Sequence, residues 1–278
     1  MNVVVFSKDR AAQLDLLLSS MEHHDGLFAH NTVVLYACSN ERHKAGYGAV
    51  MHRHPTVKFR RESSFTDDLI GAFDPLELHS MMLVDDCVFT GRLDQAQARA
   101  CLSRADVLCY SPRLSPGHSY SYTLGRPVVK PIFTSSGPSF SWAWPGADAE
   151  FGYPFSVDGH VFRTRDLLAV LCGVANYTSP NTLEAAGASA AAQGAFPAFR
   201  SCTSMACPAK PCLVNNAENM VQSDYPNRHG GGDVGAVNER FMAGGRLSVE
   251  AFEGLDEGRC HVCYPLAWEG EPLKKGEE

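Results

Sequence analysis

Apolar residues along this chain fall into two kinds of segment: short β-branched runs that break off into polar residues, and longer stretches in which apolar positions recur every three or four residues. Residues 2–6 (NVVVF) are a run of the first kind, and residues 11–21 (AAQLDLLLSSM) place Leu14, Leu17, Leu18 and Met21 at helical spacing. The chain is therefore expected to open with strand, polar loop and helix. Residues 32–37 (TVVLYA) repeat the run and give way to Ser39, Asn40 and Glu41, as a buried parallel strand does when its carboxyl end opens into a site. Residues 57–59 predict a third, short strand, residues 65–73 a helix, and residues 80–84 (SMMLV) a buried strand that ends abruptly at Asp85 and Asp86. A helix over 95–104 and a strand over 107–110 follow. Strands alternating with helices predict an α/β fold, a mixed but mainly parallel sheet flanked by helices.

From Pro112 the texture changes, and Ser, Pro, Gly and aromatic residues dominate through Tyr153. One strand is expected over 127–130, with Trp142, Trp144 and Tyr153 in loops, where they would either form a binding surface or serve as core. Residues 155–162 alternate as a strand and 165–171 read as a helix; Ser179-Pro180-Asn181 before Thr182-Leu183-Glu184 reads as a helix start. Residues 185–195 are Ala/Gly-rich and leave their structure open, while 230–232 and the charged end of the chain are expected to be mobile. No repeat or strong linker appears. The expectation is a single domain over 1–265, with a nucleotide-binding half (1–111) and a loop-rich second half (112–265) sharing one sheet, then a tail over 266–278.

A length of 278 residues suits one large or two small domains. With 31 acidic against 24 basic residues the formal net charge is −7, so the global positive field that drives sequence-independent nucleic-acid binding is missing. No apolar stretch approaches the roughly 18–20 residues of a membrane span, and the apolar run at 3–6 is too short for a signal peptide. The ten cysteines are then expected as reduced thiols in a cytoplasmic compartment.

The adjacent carboxylates Asp85 and Asp86 suit a divalent ion, which commonly takes one or two carboxylates plus phosphate oxygens and water; a solvated turn after a buried strand is the plainer reading. The stretch Val5-Phe6-Ser7-Lys8-Asp9-Arg10-Ala11-Ala12-Gln13-Leu14 together with Leu83-Val84-Asp85-Asp86 resembles the GT-A-type glycosyltransferases. Residues 153–162 (YPFSVDGHVF), 181–184 (NTLE) and 219–222 (NMVQ) extend the likeness to a family-2-like branch of small nucleotide-sugar transferases, from Met1 to about His261. Neither a Gly-x-Gly-x-x-Gly nor a P-loop motif is present.

The resemblance implies a Rossmann-like GT-A sheet and transfer of a sugar from a nucleotide-diphosphate donor, a UDP- or GDP-sugar, to a glycan or other acceptor hydroxyl. It puts Asp86 where the last Asp of the D-x-D motif ligates Mn²⁺ or Mg²⁺, with Val84 at the first position, and Asp85 on the ribose or assisting the metal. A late His, His261, would add a metal ligand. Ser7, Asp9 and Arg10 would contact base, ribose and phosphate, Tyr153 the donor, and Asn40 either the nucleotide or only its own turn. Inversion needs a carboxylate that takes the acceptor proton. Glu184, aligned with the acidic motif of inverting relatives, is the expected base, and Asp158 a donor-sugar contact or alternative base beside Gly159, which would allow close approach of a ligand. Asn219 and Gln222 are helix-surface residues or contacts to acceptor or nucleotide.

Two rival classes remain in view. Cys260 and Cys263 in C-x-x-C spacing, with Cys202, Cys207 and Cys212, are the raw material of a zinc-stabilised binding module. A nucleotide-sugar-forming nucleotidyltransferase would share sheet and metal, but it expects a Gly-rich first loop where this chain has Ser7-Lys8-Asp9-Arg10.

Overall fold

The computed structural model describes residues 1–25, 31–221 and 231–274. In chain order the first half forms β1 (Asn2–Lys8), α1 (Ala11–Asp25), β2 (Thr32–Ala37), α2 (Glu41–Arg53), β3 (Lys58–Arg61), α3 (Phe65–Ile70), β4 (His79–Val84), β5 (Cys87–Phe89), α4 (Gln95–Leu102) and β6 (Val107–Tyr110). The second half adds β7 (Tyr120–Ser121), β8 (Arg126–Pro127), β9 (Thr134–Ser136), β10 (Ser139–Ala143), a 3-10 turn at Ala149–Gly152 and β11 (Val161–Arg163). After these come α5 (Thr164–Gly173), α6 (Pro180–Ala192), α7 (Pro197–Ser201), β12 (Ser204–Pro208), β13 (Leu213–Asn216), α8 (Val234–Met242), a 3-10 turn at Glu250–Phe252 and β14 (His261–Val262).

Nine strands form one sheet in the order β3-β2-β1-β4-β11-β6-β12-β10-β9, so both halves of the chain share it. Only β10 and β11 run against the other strands. The apolar runs explain the layering: Val3 and Val5 face one core cluster and Val4 and Phe6 the other, because successive side chains of a strand point to opposite faces. Leu14, Leu17 and Leu18 of α1 fill the first cluster, while Leu167 and Leu171 of α5 and Leu183 of α6 fill the second.

Two consequences of the topology fix the site. After β3 the chain crosses to the other side of β1, so β1 and β4 are neighbours across the point where strand order reverses, and α/β sheets bind ligands outside the carboxyl ends at such a point. Because β11 is antiparallel to both β4 and β6, its entry lies at the same edge as their exits. A smaller sheet, β14-β13-β5, hangs from the end of β4. Cys87, Asn215 and His261 share one rung of it, which carries the late His to within two strands of the Asp pair.

Several expectations change. The third strand is Lys58–Arg61 rather than 57–59, and the strand expected over 127–130 shrinks to the two-residue pairing of β8 with β7. Of residues 155–162, only Val161 and Phe162 join a strand; 155–160 form the irregular entry to β11. Trp142 lies in β10 and Trp144 just after it, both buried, with indole N–H groups donated to the carbonyls of Phe151 and Cys202 at 2.8 Å; they are core, not a binding surface. The Ala/Gly-rich stretch is the body of α6, started by a capping box between Ser179 and Thr182. Packing also continues past 265: Ala267 and Trp268 are buried, Trp268 bridges Leu247, and Glu271 pairs with Arg240 at 2.7 Å. Of the segment expected to be mobile at 230–232, Gly232 is tied by its N–H to the Glu218 carbonyl, and Gly230 lies outside the described residues.

Glycine is required at two places beside the site. At Gly159, φ is +96° and an added Cβ would meet Leu213 at 2.2 Å, so the close approach is by a core side chain rather than by a ligand. At Gly187 an added Cβ would lie 2.2 Å from the Phe155 ring, so this glycine lets α6 close on the 155–160 segment. Gly187→Ala is expected to lower stability by about 1–3 kcal/mol, the usual cost of overpacking a core, read as a fall in the midpoint of thermal or urea unfolding; an unchanged midpoint would show that α6 is not held at this contact.

Candidate active site

A cavity of about 790 Å³ opens along the carboxyl edge of the sheet. Of the residues picked out in the sequence, Ser7, Arg10, Asp85, Asp86, Tyr153, Asp158, Glu184, Asn219 and His261 line it. Asp9 and Asn40 are not among its lining residues. Asp9 takes a left-handed backbone (φ 58°) and its carboxylate accepts the Ser39 N–H at 2.7 Å, tying the end of β1 to the loop after β2. Asn40 is the N-cap of α2 and accepts the His43 N–H at 3.0 Å. Asn40 thus caps its helix and Asp9 ties two strand ends together, and neither side chain lines the cavity. Gln222 lies outside the described residues.

Strand register builds the first group. Phe6 is paired with Val84, so the residues that follow, Ser7 and Asp85, emerge side by side, and the Ser7 hydroxyl donates to Asp85 Oδ2 at 2.7 Å. Arg10, at the start of α1, spans the pair with Nη2 on Asp85 and Nη1 on Asp86, both at 2.5 Å. Its Nη1 also donates to the Asn219 carbonyl at 3.2 Å, while Gln13 holds the Asn219 side chain at 2.9 Å. One guanidinium faces two carboxylates, leaving a negative charge uncompensated. Burial, against which Arg10 works, raises Asp85 and pushes Asp86, with its neighbour's charge added, up to about 7.

The second group assembles where β11 enters. Arg113, three residues past the end of β6, donates to Asp158 Oδ2 at 3.1 Å and to the Ser156 hydroxyl at 2.9 Å. His261 Nε2 sits 3.2 Å from the same Asp158 oxygen, and its Nδ1 lies 3.4 Å from the Cys260 sulfur. Burial alone would raise Asp158, but Arg113 and His261 outweigh it and hold the carboxyl at about 2. Burial likewise disfavours a charged His261, yet the Cys260 sulfur and the Asp158 hydrogen bond lift it to about 10. Both ring nitrogens of His261 therefore have protein neighbours, and its partner in the cleft is Asp158 rather than Asp86.

Glu184, one turn into α6, accepts the Val157 N–H at 3.0 Å. Burial, reinforced by the nearby Asp158 charge, pushes it up to about 7 despite Ser156 and Arg113. The cleft thus holds two carboxylates at opposite settings, Asp158 fixed as an anion and Glu184 poised to exchange a proton near neutrality. Arg113 and Ser156 were not picked out from the sequence. A signal existed for Arg113, which stands just beyond a strand end as Asp85 and Asp86 do, but its loop was read by composition alone.

Arg10→Ala removes the one cation that, among the described residues, forms ion pairs with Asp85 and Asp86, whose side chains are 1% and 14% exposed. Losing one partner of a buried ion pair costs about 3–5 kcal/mol, and urea unfolding is expected to show a loss of that size; a loss below about 1 kcal/mol, typical of an exposed pair, would mean the pair is solvated.

No family model matches the chain. Among curated proteins it is similar to the bifunctional glycosyltransferase pgtA of Dictyostelium discoideum, 25% identical over 195 residues, covering 63% of this chain and 25% of that protein. The chain therefore matches about a quarter of that relative's length. Among solved structures, S. aureus TarS 1–349 superposes with a TM-score of 0.48 at 12% identity, covering 78% of this chain and 61% of that one. The mannosyltransferase PcManGT from Pyrobaculum calidifontis, solved with GDP-Man and Mn²⁺, gives 0.38 at 13%, covering 66% and 50%. A cytidylyltransferase from Leptospira borgpetersenii gives 0.39 at 11%, covering 66% and 67%. Among the described residues no helix is long and apolar enough to cross a membrane. The chain thus combines a mainly parallel α/β sheet with a sequence similar to part of a glycosyltransferase.

Proposed function

We propose that the protein is an inverting glycosyltransferase that moves a sugar from a UDP- or GDP-sugar to an acceptor hydroxyl, with Mn²⁺ or Mg²⁺ assisting and Glu184 as base. The observation that carries this reading is the pairing, in one cleft, of the Asp85–Asp86 strand end with a buried carboxyl set near neutrality. The donor's diphosphate would lie over the exits of β1 and β4, within reach of Arg10 and Arg113, and Tyr153 would face the donor from the cleft wall.

The donor set fits a divalent ion at Asp86. Arg10 balances only one of the two carboxylate charges and occupies Oδ1 of Asp86, so the second oxygen, on a residue that lines the cleft, is a hard ligand suited to Mg²⁺ or Mn²⁺ sharing substrate phosphates and water. Bound there, the ion would supply positive charge to the departing diphosphate. His261 belongs to the Asp158 cluster in this arrangement and holds that carboxylate in place.

In the transfer the acceptor oxygen bonds to the anomeric carbon as the bond from that carbon to the diphosphate breaks, and the acceptor proton passes to Glu184. The settings of the two carboxylates favour Glu184 over Asp158, since a group ionised down to about pH 2 is a weak base. Asp158 instead fixes Arg113 and His261 in the cleft wall. The loop Ser7-Lys8-Asp9-Arg10 has no glycine to cradle a triphosphate, so nucleotidyl transfer is the weaker reading.

Glu184→Gln is expected to lower kcat by about 10²–10⁴-fold, the usual worth of general-base catalysis, with donor affinity unchanged. Because Glu184 must be ionised, kcat should rise with pH, tenfold per unit below about 7, and level off above it; the Gln variant should lack that limb. Full transfer by Glu184→Gln would remove it as base.

Asp86→Ala is expected to abolish the Mn²⁺-dependent thermal shift produced by a UDP- or GDP-sugar, because a ligand that binds the native state raises its apparent stability. An equal shift in EDTA and in the variant would overturn the metal assignment. Consumption of a nucleoside triphosphate with a sugar phosphate, rather than release of a nucleoside diphosphate, would turn the reading to nucleotidyl transfer.

A further inference from the structure

A second cluster of ligand atoms lies apart from Asp86. His118 follows β6 in the loop that also carries Arg113, Glu150 sits in the 3-10 turn before Tyr153, and Cys260 precedes β14, next to His261. These segments are far apart in sequence, yet one ligand atom from each lies within 4.8 Å of the others. His118 and Cys260 are 2% and 1% exposed. We infer that His118, Glu150 and Cys260 form a Zn²⁺ site that clamps these three segments together at the wall of the cleft, which Glu150 itself lines.

The chemistry of the donors selects the ion. One sulfur, one imidazole nitrogen and one carboxylate oxygen match zinc, whereas Mg²⁺ and Ca²⁺ prefer oxygen alone. A thiolate and a carboxylate beside a neutral imidazole also carry two negative charges, which balance the dication in a buried place. His118 Nε2 and Glu150 Oε2 are 3.2 Å apart, close to the edge of about 3.4 Å that two ligands subtend in a tetrahedron with metal–ligand bonds of about 2.1 Å.

A further observation points the same way. The Ser121 hydroxyl donates to the second oxygen of Glu150 at 2.6 Å, the kind of outer contact that orients a ligating carboxylate. Three protein ligands leave a fourth position for water.

The site replaces the cysteine-only reading of the sequence. Cys263 faces Glu218 instead, at 3.9 Å, and Cys207 and Cys212 are absent from the cluster. The inference stands apart from the proposed sugar transfer, since none of the three ligands is assigned a step in it.

The test is the zinc content of the full chain, expressed with added zinc and dialysed against metal-free buffer. About one Zn²⁺ per chain is expected by elemental analysis, retained in Cys263→Ala and lost in Cys260→Ser and His118→Ala. Ser121→Ala should weaken Zn²⁺ binding by about 10–100-fold. To separate loss of ligand from loss of fold, the parent chain is also stripped and reloaded with Co²⁺, which should give the visible bands of a tetrahedral site and a sulfur-to-cobalt charge-transfer band. Absence of zinc after titration with Zn²⁺, absence of a sulfur band with Co²⁺, or loss of zinc in Cys263→Ala with retention in Cys260→Ser would each overturn the assignment.

Discussion

The cleft depends first on the salt bridge between Arg10 and the two carboxylates at the end of β4. Burying adjacent acids is costly unless a cation meets them, and the guanidinium fork, which presents parallel N–H donors, reaches both at once. Arg10 can do this because the first helix begins directly after β1, and β1 is the strand paired with β4. The interaction therefore couples the opening loop of the chain to the strand end opposite, and Asn219 closes over the guanidinium from a segment more than 200 residues away. One guanidinium cannot offset two buried acids, and burial raises both carboxyls.

The second constraint is the reversed strand β11. Inserted between β4 and β6, it enters the sheet where its neighbours leave it, so Asp158 meets Arg113 and both stand opposite Asp86. The pressure of α6 on the 155–160 segment, allowed by Gly187, then sets Glu184 against the Val157 N–H. Opposite ionisation settings in neighbouring carboxylates follow from this packing: Asp158 has two cationic partners within 3.2 Å, while Glu184 has burial and a like charge to contend with.

Much of this was legible in the sequence where a local pattern carries the information. Buried strands announce themselves as short apolar runs, so β1, β2, β4 and β6 were placed almost to the residue, and the polar residues at their exits marked Ser7, Arg10, Asp85 and Asp86. What depends on long-range pairing was not legible. Residues 155–162 alternate like a strand, yet their backbone bends to approach Glu184 and only the last two pair. Trp142 and Trp144 sit among loop-forming residues, but their indoles fill the core between β10 and the neighbouring turns. Asp9 and Asn40 have the composition of ligand contacts, but the Asp9 carboxylate accepts the Ser39 N–H across two strand ends and Asn40 caps its own helix. The convergence of His118, Glu150 and Cys260 leaves no trace in spacing, because it is produced by three loops meeting in space.

A crystal structure of the full chain soaked with a nucleoside diphosphate and Mn²⁺ tests the central claim most directly. The account predicts the diphosphate over the exits of β1 and β4, beside Arg10 and Arg113, with the ion on Asp86. A nucleotide bound elsewhere, with Arg10 still closed on both carboxylates and no ion beside Asp86, would contradict it.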